Sequence, residues 1–139
     1  MFEHIIGKTA QEANSPSPWG RLLNPTLIAA DKGNFTVSLL VREELTNPGG
    51  IMHGGAIAGL IDEVIGMSTF SLGKPGFYVA MNLNIDFLRP GVLGETIRAT
   101  TSIIKDGRNV AHFECHVYNQ DKKLIAKATS NLMLTQIQK

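Results

Sequence analysis

The residues of this sequence that suggest chemistry are a carboxylate inside an apolar segment and, before that segment, a histidine followed by two glycines. The segment 56–70 carries only two charges, Asp62 and Glu63. A carboxylate among apolar residues costs free energy unless it is solvated or paired, so a pocket that holds Asp62 is a candidate active site. The alternative is that both carboxylates mark the one solvated edge of a helix, where charged side chains usually lie.

His53, Gly54 and Gly55 stand where the apolar segment begins. Glycine lets a ligand approach the backbone closely, and the first N–H groups of a helix have no partner within the helix. These N–H groups lie at the positive end of the helix dipole and suit a carbonyl oxygen that gains negative charge during a reaction. The other interpretation is that the two glycines only form a tight turn into the helix.

The spacing of these two features limits how they can act together. Along an α-helix, the step from His53 to Asp62 is a rise of roughly 13.5 Å and ends about half a turn out of register. The two residues of one helix therefore cannot reach the same substrate atom. If both serve one reaction, Asp62 must face a His53-Gly54 pair from a second copy, and a two-fold dimer would hold two identical sites.

The elements that must position these residues follow from the pattern of apolar residues. The segment from Gly54 to about Leu72 is too long for a strand and contains no proline, which predicts a helix. Its small and apolar residues on all sides predict that the helix is buried. Apolar runs separated by turn residues predict six strands, at 26–30, 35–41, 77–87, 95–104, 110–118 and 124–134. An antiparallel sheet wrapped around one central helix satisfies both patterns, so the predicted fold class is α+β.

Length and composition limit the class of protein. The 139 residues predict one domain, 1–139, in which residues 1–24 form a short helix and a turn before the sheet. A net charge of +1 argues against nucleic acid as a partner, and one cysteine excludes an internal disulfide. The sequence shows no signal peptide, and no run reaches membrane-spanning length without a charge or a polar break, so we expect a cytoplasmic protein without a membrane partner.

Three polar residues on one predicted strand could bind a metal. His112, Glu114 and His116 share one face of strand 110–118, and alternate ligands on a strand can bind zinc. A solvated outer face of the sheet is the ordinary explanation, and it places Cys115 in the core. Since the lone cysteine lies within a strand and no Gly-x-Ser-x-Gly motif occurs, a cysteine or serine nucleophile is disfavoured. We therefore expect no metal and no cofactor.

Three stretches of the sequence resemble the hotdog-fold acyl-CoA thioesterases. They are residues 47–62, the Asn-Ile-Asp-Phe-Leu-Arg-Pro run at 84–90, and the Lys-Asp-Gly-Arg turn at 105–108. The resemblance covers roughly residues 25–135 and is greatest to the phenylacetic-acid-degradation (PaaI-like) branch of the 4-hydroxybenzoyl-CoA thioesterase superfamily. It implies the hotdog fold, in which an antiparallel curved sheet wraps around one long helix, in agreement with the predicted order of elements.

The resemblance also implies roles for single residues. Asp62 would act as the general base or the nucleophile at the thioester, and the backbone N–H of Gly54 would polarise the carbonyl group of the thioester. Asn47 would help to place the attacking water, and His53 would shape the site. Positions implied to bind the substrate and its coenzyme A part are Gly55, Ala80, Phe87, Arg89, Pro90, Lys105, Gly107 and Arg108.

Two positions depart from the family pattern. Some members carry a hydroxyl residue one turn beyond the acid, where this chain has Gly66, and some carry a serine where this chain has Ala80. Placement of the water by side chains at these two positions is thus put in doubt: either the activity is slow, or a different hydroxyl, from Ser68 or Thr69, serves instead.

The sequence thus predicts an acyl-CoA thioesterase, acting on an aryl or medium-chain substrate at sites shared within a homodimer. The resemblance further implies a dimer of dimers, with coenzyme A as part of the substrate. The alternative is a non-catalytic acyl-CoA-binding hotdog module, which the retention of Asp62 and Asn47 disfavours. A second alternative is a hotdog dehydratase or hydratase that acts on a 3-hydroxyacyl thioester. The sequences of those enzymes look different around their catalytic histidine, which disfavours this alternative.

Overall fold

The computed structural model describes residues 2–138. Its α-helices are α1 (Pro18–Leu23) and α2 (Gly54–Thr69). Its strands are β1 (Thr26–Asp31), β2 (Asn34–Leu40), β3 (Tyr78–Ala80), β4 (Asn84–Phe87), β5 (Thr96–Asp106), β6 (Val110–Tyr118) and β7 (Leu124–Leu134). Short 3₁₀ turns lie at Glu3–Ile5, Glu43–Leu45 and Phe70–Leu72.

The strands form one antiparallel sheet in the order β1-β2-β5-β6-β7-β3, and β4 also pairs with β7. α2 packs across this sheet, with its closest approaches to β2 and β5. The core between helix and sheet contains the fully buried side chains of Phe35, Leu60, Ile65, Ile97 and Phe113. This arrangement confirms the predicted α+β class and the central position of the helix.

The predicted strand 77–87 is not continuous, because the structure divides it into β3 and β4. Between them, the side chain of Asn82 takes the place of the backbone as a partner of β7. Its Oδ1 accepts a hydrogen bond from Asn131 N–H at 3.0 Å, and Ser130 Oγ donates to Asn82 O at 2.8 Å. Asparagine side chains commonly compete with regular backbone pairing in this way.

The apolar residues that alternate along 77–87 are largely exposed in the single chain. Val79, Met81 and Phe87 are 42%, 51% and 56% exposed, whereas Tyr78, of the alternate set, is buried. β3 is the last strand of the sheet, and no strand within residues 2–138 pairs with its outer edge. An apolar surface beside an open strand edge is suited to pairing with another chain.

The opposite edge of the sheet is covered at the start of β1 by the N-terminal segment. Gly7 N–H donates to Leu27 O at 2.7 Å, and Leu27 N–H donates to Lys8 O at 3.1 Å. Thr9 and Thr26 form a further β-bridge. Within the described residues, the sheet therefore has one edge that is partly covered, at β1, and one that is open, at β3 and β4.

α2 is buried on one side only, so the prediction of a helix buried all round is wrong for the single chain. Small residues on the open side, such as Gly59 and Gly66, look apolar in sequence but expose little apolar surface. Gly54–Leu72 has the length and composition of a membrane span, and burial against the sheet accounts for this without a membrane. The buried side consists of Ala56, Ile57, Leu60, Ile61, Val64, Ile65, Ser68 and Thr69.

The N-terminal segment reverses the predicted order of a helix followed by a turn. A 3₁₀ turn and several tight turns come first, and α1 begins at Pro18, the last of the Ser-Pro residues. Ser17 caps α1 by accepting a hydrogen bond from Gly20 N–H at 3.0 Å, and Pro18 suits the first helical position. Met1, which belongs to the predicted segment, lies outside the described residues.

Candidate active site

Asp62 faces an open groove between α2 and the link from β3 to β4. Ala58, Gly59 and Asp62 of α2 form one wall; the first two lie four and three positions before Asp62 and therefore share its side of the helix. The structure thus brings two predicted site residues, Asp62 and Ala80, into one mainly apolar groove. The groove has a volume of about 410 Å³ and is lined by Ala58, Gly59, Asp62, Ala80, Met81, Asn82 and Leu83.

The two adjacent carboxylates of α2 have different surroundings. Glu63 turns toward α1, where its Oε1 accepts a hydrogen bond from Ser17 Oγ at 3.0 Å and its Oε2 lies against the backbone of Gly20. Asp62 has no hydrogen-bond or ion-pair partner among residues 2–138. Asp62 is therefore the carboxylate that is available to a ligand in the groove.

The surroundings of both carboxylates change their acidity. Protein atoms remove part of the hydration of Asp62 and raise its pKa, although the side chain is exposed in the single chain. Burial raises the pKa of Glu63; the hydrogen bond from Ser17 opposes this rise, and the charge of Asp62 adds to it. A raised pKa makes the Asp62 carboxylate a stronger base toward a bound water.

The start of α2 presents one backbone N–H group to a ligand. His53 is the N-cap residue, and its Nδ1 accepts a hydrogen bond from Gly55 N–H at 2.8 Å. The Gly55 N–H is therefore engaged, whereas the Gly54 N–H has no acceptor within residues 2–138. Of the two predicted glycines, Gly54 is the one whose N–H is placed to bind a carbonyl oxygen.

Phe87 and the turn that follows it lie beside the start of α2. The ring of Phe87 is 3.6 Å from the position that a Cβ atom on Gly54 would occupy. The turn carries Arg89 and Pro90, both exposed, and a backbone hydrogen bond of 2.7 Å joins it to Met52 in the loop before the helix. Four predicted site residues therefore form one group at the helix start.

Asn47 stabilises the loop that leads into α2. Its Oδ1 accepts a hydrogen bond from Gly49 N–H at 2.9 Å, and its backbone N–H donates to Ile51 O at 2.9 Å. Since Oδ1 already accepts one hydrogen bond in the loop, the side-chain amide Nδ2, with both of its N–H donors unused within residues 2–138, is the group with which Asn47 can donate to a water or a substrate.

A second groove, also of about 410 Å³, lies at the turn between β5 and β6. It contains the predicted residues Lys105, Gly107 and Arg108. Neither Lys105 nor Arg108 has an ion-pair partner among residues 2–138. Glycine is required at 107, since a Cβ atom there would lie 2.6 Å from Val110 O. The full lining is Lys105, Gly107, Arg108, Asn109, Val110, His112 and Asn131.

Sequence reasoning missed two contacts that shape this second groove. Lys74 Nζ donates hydrogen bonds to Asp106 Oδ1 at 2.9 Å and to Gly107 O at 2.6 Å, which ties the turn to the segment after α2. In the groove wall, His112 Nδ1 and Asn131 Oδ1 are 2.7 Å apart. Strand register and the path of the chain set both contacts, and neither has a signal in a single sequence.

The predicted site residues form three groups that one chain does not unite. Gly54 and Asp62 are separated along α2 by roughly 12 Å. Arg89 N–H bonds to Ile125 O near one end of β7, whereas the second groove reaches Asn131 near the other end. Six strand residues span roughly 20 Å, so Arg89 and the cations of the second groove lie too far apart to hold one phosphate within one chain.

The sequence of this chain is similar to those of known proteins. Residues 49–126, which include His53, Gly54 and Asp62, match the family model of the thioesterase superfamily. Human acyl-coenzyme A thioesterase 13 is 35% identical over 129 residues, which are 91% of this chain and 79% of that protein. The chain belongs to the thioesterase superfamily.

Solved structures show that this superfamily member has the expected fold. The Escherichia coli PaaI protein superposes with a TM-score of 0.78 at 28% identity, covering 83% of this chain and 86% of its own. A Streptococcus mutans protein bound to acetyl-CoA superposes with a TM-score of 0.78 at 30% identity, covering 84% and 92%. These similarities confirm the hotdog fold, the PaaI-like branch and the enzyme class, a thioester hydrolase.

In this thioesterase neither Ser68 nor Thr69 supplies the hydroxyl expected near the acid, so that prediction is wrong. Ser68 Oγ lies 2.7 Å from Thr101 Oγ1, and Thr69 Oγ1 donates to Gly66 O at 2.6 Å. Both hydroxyls belong to the buried, sheet-facing side of α2, whereas Asp62 is on the open side.

The predicted position of Cys115 in the core of the thioesterase is confirmed. Its side chain is fully buried in β6, and burial raises the pKa of the thiol to about 12. Among the residues that the structure describes, no three His, Cys, Asp or Glu side chains are grouped to hold a metal ion.

Proposed function

We propose that this protein is an acyl-CoA thioesterase that hydrolyses an aryl or medium-chain acyl-CoA, with Asp62 as its catalytic carboxylate. The contrast between two adjacent carboxylates carries this proposal. Asp62 faces an apolar groove and has no partner within residues 2–138, whereas Glu63 is hydrogen-bonded to Ser17. An unpaired carboxylate with a raised pKa in a groove is typical of a catalytic group rather than a structural one.

Hydrolysis requires water to attack the carbonyl carbon of the thioester. The Asp62 carboxylate takes a proton from that water while the water oxygen bonds to the carbon. The carbonyl oxygen then gains negative charge, which the Gly54 N–H and the helix dipole stabilise. The C–S bond breaks next, the free acid forms, and coenzyme A leaves as a thiolate that takes up a proton. Direct attack by Asp62 would give an anhydride that water then cleaves, and it would use the same two groups.

Because Gly54 and Asp62 of one α2 lie roughly 12 Å apart, we propose that each site combines these residues from two copies of the chain. The open edge of β3 and the exposed side chains of Val79, Met81 and Phe87 support pairing of two copies along this edge. A two-fold axis would create two identical sites, each with Asp62 from one chain and Gly54 and Asn47 from the other.

The same pairing accounts for the distribution of cations. Arg89 lies with the Gly54 group, and Lys105 and Arg108 lie in the second groove, roughly 20 Å away in one chain. In a shared site, cations from both chains are available to the phosphates of one coenzyme A. The acetyl-CoA bound to the similar Streptococcus mutans protein supports a ligand of this class.

A hydrolysis screen over acetyl-, hexanoyl-, decanoyl-, palmitoyl- and phenylacetyl-CoA, with release of free thiol as the readout, tests the proposed function. We expect turnover that is greatest for the medium-chain or aryl substrates. Tight binding of these acyl-CoAs without any release of thiol would instead support the non-catalytic acyl-CoA-binding module.

A further inference from the structure

Trp19 of α1 lies on α2 next to the groove that contains Asp62. The indole Nε1–H donates a hydrogen bond to Gly59 O at 3.0 Å, so the ring is fixed to the helix backbone. Gly59 lines the groove together with Asp62, three positions later on the same side of the helix. The indole is not itself a lining residue, but it packs on Gly59 and so lies beside the groove wall.

Only glycine allows this contact at position 59. A Cβ atom there would lie 2.4 Å from Cζ2 of Trp19, a distance that a rigid, hydrogen-bonded ring does not tolerate. The missing side chain thus makes room for the indole on the surface of α2. The ring still keeps 43% of its surface exposed, so it is not simply a residue of the core.

α1 is held in place at both ends, which makes Trp19 a fixed wall rather than a mobile side chain. At its N-terminus, Ser17 Oγ donates to Glu63 Oε1 at 3.0 Å. At its C-terminus, the Arg42 guanidinium donates to Leu23 O at 2.7 Å and to Leu22 O at 2.6 Å. The half-buried Glu63, which the proposed reaction does not use, therefore has a role in positioning α1.

We propose that Trp19 determines acyl-group specificity, because its indole closes the Gly59 end of the groove and limits the size of the acyl group beside Asp62. This inference rests on the proposed thioesterase function. On this proposal, removal of the ring opens space beside Gly59 that a longer acyl chain can enter. One methylene group in an apolar pocket is worth roughly tenfold or more in discrimination between substrates, so the substrate profile is a sensitive readout.

The test compares Trp19→Ala and Trp19→Phe with Leu22→Ala over the acetyl- to palmitoyl-CoA series, with kcat/KM as the measurement. Leu22 is the matched control, since it lies on the same helix and its side chain is 64% exposed. We expect Trp19→Ala to change the ratio of kcat/KM for long over short acyl groups by about tenfold or more, in favour of the longer groups. Trp19→Phe, which keeps a ring, and Leu22→Ala should stay close to the wild-type ratio.

A Trp19→Ala enzyme whose kcat/KM is unchanged, or falls by the same factor for every acyl length, would overturn the inference. If Trp19→Ala does not fold, Trp19→Leu carries the same test, because it keeps an apolar contact but shortens the side chain. A wild-type protein that hydrolyses none of these substrates would instead contradict the proposed function itself.

Discussion

Nδ1 of His53 accepts a hydrogen bond from Gly55 N–H at 2.8 Å, so the histidine of the His-Gly-Gly motif is the N-cap of α2. An N-cap side chain satisfies one of the unpaired N–H groups of a helix start. In this protein the cap leaves the Gly54 N–H without an acceptor within residues 2–138. The motif therefore starts the helix, and on the proposed function it also leaves a donor for the carbonyl oxygen of the substrate.

His53→Ala should lower the free energy of unfolding by about 1 kcal/mol, measured by urea denaturation, because the cap is lost. His53→Asn is the matched control, since its Oδ1 can accept the same hydrogen bond and asparagine is among the best N-cap residues. We expect His53→Asn to recover both the stability and most of the turnover lost in His53→Ala. A stable but inactive His53→Asn enzyme would mean that the imidazole takes part in the reaction directly.

Asp62→Asn should lower kcat by at least about a hundredfold, the usual scale for an acid–base group. Its fold should stay intact, because the change removes a carboxylate that has no partner within residues 2–138. Glu63→Gln is the matched control: it makes the same change one residue later, and the amide oxygen can still accept the hydrogen bond from Ser17. The assignment is wrong if Glu63→Gln loses activity while Asp62→Asn keeps it.

The pH dependence of activity should follow Asp62. Partial removal from water raises the pKa of this carboxyl, and the base must be ionised, so the acid limb of kcat/KM should lie at higher pH than that of an ordinary aspartate. An acid limb at the usual aspartate value would contradict this prediction.

Stability should depend on the same group with the opposite trend. Since the pKa in the folded state is above that in the unfolded state, protonated Asp62 favours folding, and this contribution is lost as the pH rises through the folded-state pKa. Urea denaturation should therefore show Asp62→Asn gaining stability relative to wild type as the pH rises through that range.

Arg89→Ala, Lys105→Ala and Arg108→Ala test contact with the coenzyme A phosphates. A charge-assisted contact is typically worth ~1.5–3 kcal/mol, so loss of one should raise the KM for acyl-CoA by about tenfold or more. The KM for a short thioester without the nucleotide should stay unchanged. Lys8→Ala is the control, because Lys8 lies beside β1 at the covered edge of the sheet. Equal effects on both substrates would show that the residue does not contact the nucleotide.

Subunit exchange tests the shared site. Asp62→Ala and Asn47→Asp chains should each be inactive alone, and Asn47→Asp keeps the oxygen that accepts from Gly49 N–H while it loses the amide donor. An equal mixture should recover about a quarter of wild-type activity, since half of the dimers are mixed and each has one intact site. If mass spectrometry shows mixed dimers and no activity returns, the shared-site proposal fails.

The sequence predicted the elements whose pattern is local. The apolar run after His53 predicted α2, and alternation with clear turns predicted β5, β6 and β7 closely. The strand 77–87 was predicted less well, because the side chain of Asn82 interrupts the ladder through a contact with Asn131, which is distant in sequence. The one-sided burial of α2 was also missed, since small residues look the same in sequence whether they face a core or a groove.

The candidate site was predictable only as far as the family motif reaches. The motif indicates Asp62 and Gly54. It does not indicate the hydrogen bond from Ser17 that distinguishes Glu63 from Asp62. Ser17 is 46 residues before Glu63, and its hydroxyl meets that carboxylate only because α1 packs on α2. The contact of Trp19 with Gly59 depends on the same packing, so no local pattern indicated it.

The two edges of the sheet limit how many copies can assemble through strand pairing. The N-terminal segment occupies the outward-facing N–H and C=O groups of Leu27 at the start of β1, whereas no strand within residues 2–138 pairs with the outer edge of β3 and β4. A second copy that approaches β1 meets the N-terminal segment first, whereas one that approaches β3 meets an uncovered strand, so pairing of two copies through β3 is favoured over open-ended pairing through both edges. Deletion of residues 2–10 would open the second edge, and the same surface chemistry would then favour open-ended aggregation.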